Sequence, residues 1–136
     1  IGTNDSTNKS SDKFIAYCFN GVQGYSKFGS YTGNDNANGT FVYTGFKPAF
    51  VMIKRTNAVN DWIMIDNKRN PFNAVNDRLL ANTTGAEATT DLLDFVSNGF
   101  KMRATYGGVN SANTFIYMAF AENPFTSSAG TPVTAR

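Results

Sequence analysis

The chain has 136 residues, a net charge of +2, no histidine and a single cysteine, Cys18. That length fits one domain with its own core. The composition excludes an intrachain disulfide, a His/Cys metal site and His-dependent nucleophilic catalysis. The charges form no basic block and no apolar run is long enough to span a membrane. Nucleic acid, membrane insertion and cofactors are therefore not expected.

Twelve Phe, six Tyr and twelve Gly, with abundant Asn and Thr, describe strands joined by turns. The chain opens at Ile1 without an initiator Met, which predicts a piece of a longer protein. Residues 1–12 are polar and read as a linker or extended arm. Lys13–Phe19 reads as a strand apolar on both faces, with Cys18 as a buried small hydrophobe. Asn20-Gly21 and Gln23-Gly24 mark turns, and Tyr25–Thr32 alternates imperfectly. Gly33–Gly39 reads as a loop. Its Asn and Asp residues superficially resemble a calcium loop but lack the downstream Glu and the acidic density, so a plain turn cluster is the stronger reading. Thr40–Phe46 is a strand with Phe41, Tyr43 and Gly45 on one face and Val42, Thr44 and Phe46 on the other.

Lys47–Arg55 and Asp61–Asp66 are the longest β-like pair, joined by the polar Thr56–Asn60. They predict a central hairpin covered on both faces, with Pro48 at a strand start. Asn67–Asp77 is irregular, Arg78–Ala81 a short strand, and Ala86–Thr90 one helical turn. Asp91–Val96 and Phe100–Ala104 are strands around Ser97-Asn98-Gly99, where Asn-Gly predicts positive φ angles in a tight hairpin. A loop over 106–113 precedes the last strand, Thr114–Phe120, and residues 126–136 form a small-residue tail. The sum is an all-β fold over residues 13–125: an antiparallel, jelly-roll-like β-sandwich of about eight strands. Ser10–Phe19 also resembles Ser111–Phe120, each a polar loop entering a Phe-Ile-x-x-x-Phe strand. Chance or a tandem array of repeats would account for this.

Candidate ligand-binding residues are Trp62, Lys68, Arg69, Asn70, Asn73 and Tyr106. Trp62 reads as core, or as a flat platform for a sugar ring. Lys68, Arg69, Asn70 and Asn73 lie in an irregular polar stretch suited to sugar hydroxyls. A solvated loop pinned by Arg69 on a carboxylate is the stronger reading of the same stretch. Tyr25, Tyr31, Tyr43 and Tyr106, in or beside Gly-rich loops, read as contact surface or as half-buried strand ends. Asp66, Glu87, Asp91 and Asp94 are the carboxylates from which a glycosidase pair would come, but the sequence sets no separation between them. No catalytic residue is assigned.

Four segments resemble a known family: Gly24–Asn34, Gly45–Arg55, Asp94–Lys101 and Phe115–Phe125. They are similar to the repeated β-domains of marine bacteriophage tail-fibre and virion-surface proteins, over most of residues 13–125. The resemblance implies a non-enzymatic module on the virion surface. Its expected partners are a host cell-surface glycan or receptor and other virion proteins, and fibre symmetry implies a homotrimer. A purely structural capsid or tail role is the alternative, and a polysaccharide depolymerase a remote one. The motifs consist of glycines, aromatics and turn residues, so they specify folding and bring no catalytic residues with them.

Overall fold

The structure is a computed structural model describing residue 2 and residues 4–123. The tail expected over 126–136 lies outside the described residues. A short helix, α1 (Asp5–Asn8), is capped by Asn4, whose side chain accepts from the Ser6 N–H at 2.8 Å. Eight strands follow: β1 (Ser26–Thr32), β2 (Phe41–Tyr43), β3 (Pro48–Arg55), β4 (Ile63–Asp66), β5 (Val75–Leu80), β6 (Ala88–Val96), β7 (Gly99–Met102) and β8 (Thr114–Ala121). All pairings are antiparallel, in one sheet ordered β1-β8-β3-β4-β5-β6-β7-β2. The fold is all-β with eight antiparallel strands, as the pattern predicts. The central hairpin is β3–β4, with Val51 opposite Ile65 and Ile53 opposite Ile63.

Connectivity forces this sheet to curl. In a flat sheet β2 and β3 would lie about 24 Å apart, five strand spacings. The link 44–47 reaches about 18 Å at most. Curling brings the end strands together into a nearly closed barrel. Side chains bridge the seam: Lys27 Nζ donates to the Tyr43 carbonyl at 2.8 Å, and Thr40 Oγ1 to the Thr32 carbonyl at 2.8 Å. Gly45, at φ +86°, turns the chain from β2 toward β3 in a conformation that favours glycine.

The interior is aliphatic and aromatic. Val51, Ile53, Ile63 and Ile65 are fully buried, and Phe115 stacks on Tyr31 at 5.1 Å between ring centres. Burying a side chain of this size contributes roughly 1.5–3 kcal/mol. The outer face is also apolar. Phe28, Met118, Met52, Met64 and Leu79 are register partners in a row across β1, β8, β3, β4 and β5, each half-buried. Phe19, Tyr25, Phe28 and Phe50 gather round Phe120 at 5.8–6.3 Å between neighbouring rings.

Three local expectations are corrected. Lys13–Phe19 is no strand: it is exposed coil, and Cys18 is exposed rather than buried. The place its pattern would suit, between β1 and β3, is filled by β8. The sheet therefore starts at Ser26, not at residue 13. Ala86–Thr90 forms no helical turn, since β6 begins at Ala88 and pairs with β5 through Asp77–Thr89 and Arg78–Ala88. Ladder hydrogen bonds outweigh a helix too short to nucleate. The β6–β7 hairpin turns at Ser97-Asn98, with Val96 opposite Gly99, and neither Asn98 nor Gly99 has a positive φ. Gly99 answers a different need: a Cβ there would collide with the Val42 carbonyl of β2.

Candidate functional site

The seam between β1 and β2 opens into a cleft of about 350 Å³, lined in part by Gln23, Ser26, Lys27, Tyr43, Thr44 and Phe46. Burial alternates strictly along Phe41–Pro48. Val42 points into the core, while Phe41 and Tyr43 stand out at 46% and 59% exposure. Two residues along a strand separate these rings by about 7 Å of backbone. The Lys27 ammonium lies 4.9 Å from the centre of the Tyr43 ring, fixed by its bond to the Tyr43 carbonyl. Lys101, opposite Phe41 in the β2–β7 ladder, donates to Asn38 Oδ1 at 2.6 Å. On the other rim, Ser26 Oγ donates to the Asn20 carbonyl at 3.0 Å and accepts from the Val22 N–H, which holds loop 20–26 in place. The result is the Tyr43 ring at the cleft, with Phe41 exposed beyond the cleft on the same face of β2 and a lysine near each, a combination suited to the apolar face and hydroxyl rim of a sugar.

The residues singled out from sequence lie elsewhere and are mostly engaged internally. Arg69 donates from Nε to Asp66 at 2.6 Å, from Nη1 to Glu87 at 2.7 Å and from Nη2 to the Met64 carbonyl at 3.2 Å. It ties β4 to the entry of β6 across β5. Asn73 acts as a surrogate strand residue, donating to the Phe95 carbonyl at 2.9 Å and accepting from the Phe95 N–H at 3.0 Å. Asn70 donates to Asn76. Lys68 is exposed, with its backbone N–H on Asp66 Oδ1. Trp62 is half-buried just before β4, with its backbone N–H donating to Asn82 Oδ1, and is not part of the buried core. Tyr106 packs against the core beneath the Arg78 guanidinium, 4.5 Å from ring centre to Arg78 Cζ. Arg69, Asn70 and Asn73 thus bond separate partners, Asp66 and Glu87, Asn76, and the Phe95 backbone, and Tyr106 stands apart from all three. Sequence reasoning placed Phe41 and Tyr43 on one face of their strand, but nothing in the alternation says which face meets water.

Over residues 1–124 the chain matches a family model described as Domain of unknown function (DUF7483). The chain belongs to this family. No curated protein and no solved structure matches it.

In this DUF7483 domain Asp66, Glu87, Asp94 and Glu122 are each engaged in an ion pair. Burial works against the ionised form of Asp66. Hydrogen bonds from the Arg69 backbone and side chain and from the Lys68 backbone outweigh it, and the pKa falls below the usual range. Glu122 is held low chiefly by its hydrogen bond to Lys47 at 2.7 Å, against some burial, with Asn67 donating at 2.8 Å. Asp94 pairs with Arg103 at 3.1 Å. A glycosidase acid needs the opposite shift, a carboxyl kept protonated by its surroundings.

Proposed function

We propose that this DUF7483 domain is a non-enzymatic binding module of a bacteriophage virion surface that engages host surface polysaccharide or a receptor through the β1–β2 seam. The virion setting rests on the resemblance of its sequence motifs to tail-fibre repeat domains. The observation behind the binding reading is the outward pair Phe41 and Tyr43 on end strand β2, with Lys27 at the Tyr43 ring. Rigid aromatic rings at a sheet edge give contact area at low entropic cost. Asp66 is taken up by its pairing with Arg69, a contact that ties the sheet together.

The test is binding of the fluorescently labelled protein to intact bacterial cells, with and without their surface polysaccharide stripped. Saturable binding that vanishes on stripping, and is lost in the Phe41→Ala/Tyr43→Ala double variant at unchanged melting temperature, supports the module. Equal binding by wild type and double variant rules out the seam as the site.

A second reading, a structural capsid or tail module, draws on the outer apolar row Phe28–Met118–Met52–Met64–Leu79. A half-buried apolar stripe across five strands is the surface one expects against another protein. Threefold assembly follows from analogy with fibres, and a monodisperse monomer at micromolar concentration in light scattering would count against it.

A further inference from the structure

Lys13–Phe19 is the least accounted-for segment of the chain. It exposes Phe14, Ile15, Tyr17 and Phe19, with Ile15 at 82% and Tyr17 at 81%. Residues 13–21 make no backbone–backbone hydrogen bond among the described residues. Seven residues with strand composition, whose amides and carbonyls meet no backbone partner among the described residues, form a strand without a sheet.

Alignment with β8 indicates which sheet such a strand would fit. In β8, Phe115, Tyr117 and Ala119 point into the core, while Ile116, Met118 and Phe120 face out. The same places in the segment hold Phe14, Ala16 and Cys18 inward, and Ile15, Tyr17 and Phe19 outward. Phenylalanine recurs at both ends and isoleucine beside the first. Cys18 keeps a small side chain where Ala119 is fully buried against β3. Among the inward positions the one large change is Ala16 in place of Tyr117. In this sheet Gly29 leaves room for that tyrosine, since a Cβ on Gly29 would meet its ring at 3.1 Å. A sheet matched to Ala16 therefore carries a larger residue at the place of Gly29.

We propose that Lys13–Phe19 is a donated strand, which fills the β8 place between the β1 and β3 equivalents of a second domain of this same fold and so links neighbouring domains through a shared sheet. The chain's own β8 position is occupied and shaped for Tyr117, which directs the segment outward to another unit. Phe19 packs at 5.8 Å from Phe28 and 6.1 Å from Phe120 on the outer face, so the end of the donated strand is anchored where it leaves this domain. Strand addition of this kind gains its affinity from main-chain hydrogen bonds and its register from alternate side-chain pockets.

The decisive experiment mixes the intact chain with a recipient version of it under mild oxidation. In the recipient, residues 114–120 are replaced by Gly and Ser, with Gly29→Val, Cys18→Ser and Val51→Cys. Because Ala119 pairs with Val51, the register puts Cys18 of the donor opposite position 51 of the recipient. A disulfide between these two cysteines, lost when the donor carries Ile15→Pro, is the expected result. No cross-link, or one indifferent to Ile15→Pro, overturns the proposal. A single-chain measurement guards against a recipient that fails to fold. Thr114→Lys/Met118→Tyr/Ala119→Cys gives β8 the donated sequence at every position but Tyr117. This variant is expected to unfold cooperatively like the wild type, and loss of cooperative unfolding overturns the proposal.

Discussion

Asn110 and Asn34 bond each other twice. The Asn34 N–H donates to Asn110 Oδ1 at 3.2 Å, and Asn110 Nδ2 donates back to Asn34 Oδ1 at 3.1 Å. Nδ2 also lies 2.8 Å from the carbonyls of both Asn36 and Ala104, in a side chain fully shielded from solvent. One amide thus binds the β1–β2 loop to the β7–β8 loop. Asn110→Ala is expected to cost about 3 kcal/mol, because several buried polar groups lose their partner at once. Asn110→Asp, of the same shape but unable to donate when ionised, is expected to be at least as damaging. Urea denaturation of the three proteins checks both.

Gly99 separates close approach from turn geometry. Its Cβ would strike the Val42 carbonyl, whereas Asn98 has an ordinary negative φ. Gly99→Ala should therefore destabilise by about 1–3 kcal/mol, the range for forcing atoms into a filled space. Asn98→Ala should be far milder. The reverse order in thermal melts would mean that the hairpin depends on positive φ after all.

Acid should loosen the fold through Asp66 and Glu122, both with lowered pKa values. The unfolded chain binds protons to these groups more readily, so stability rises with pH in the window where they titrate. Their contribution is complete above the unfolded carboxylate value of about 4 and disappears as pH falls through the lower folded values. The melting temperature should hold from neutrality to about pH 5 and then decline. Asp66→Asn and Glu122→Gln should lower it at neutral pH and flatten the decline, measured by calorimetry across pH.

Arg69 is expected to act on stability rather than on ligand binding. Arg69→Met leaves Asp66 and Glu87 without their shared cation, at a cost of about 1–3 kcal/mol. Cell binding per folded molecule should stay the same. A binding defect at unchanged melting temperature would restore the loop around Arg69 as a recognition surface.

Most of the strand order along the chain was legible. Alternation in Thr40–Phe46, the paired apolar runs of Lys47–Arg55 and Asp61–Asp66, and the turn at Ser97–Gly99 each reflect a local rule with period two or a tight-turn composition. Pinning of the Asn67–Asp77 stretch was legible too, since a lone arginine among carboxylates finds one. Trp62 was harder: its apolar neighbours read as core, yet it sits half-buried just before β4 and outside the buried core. Lys13–Phe19 was misread because it satisfies every local rule for a strand. Local rules do not say whether a place in the sheet remains free.

The sequence by itself determined the all-β class, the central hairpin and the run of strands that follows it, since alternation and turn chemistry act between near neighbours. It also set the alternation that puts Phe41 and Tyr43 together. Tertiary structure alone decided that β8 enters between β1 and β3, that the short 44–47 link curls the sheet until β1 meets β2, and that Asn110 lies buried between two loops. Those outcomes depend on contacts between residues far apart in the chain, where several similar strands compete for the same place and only closure of the whole sheet selects one.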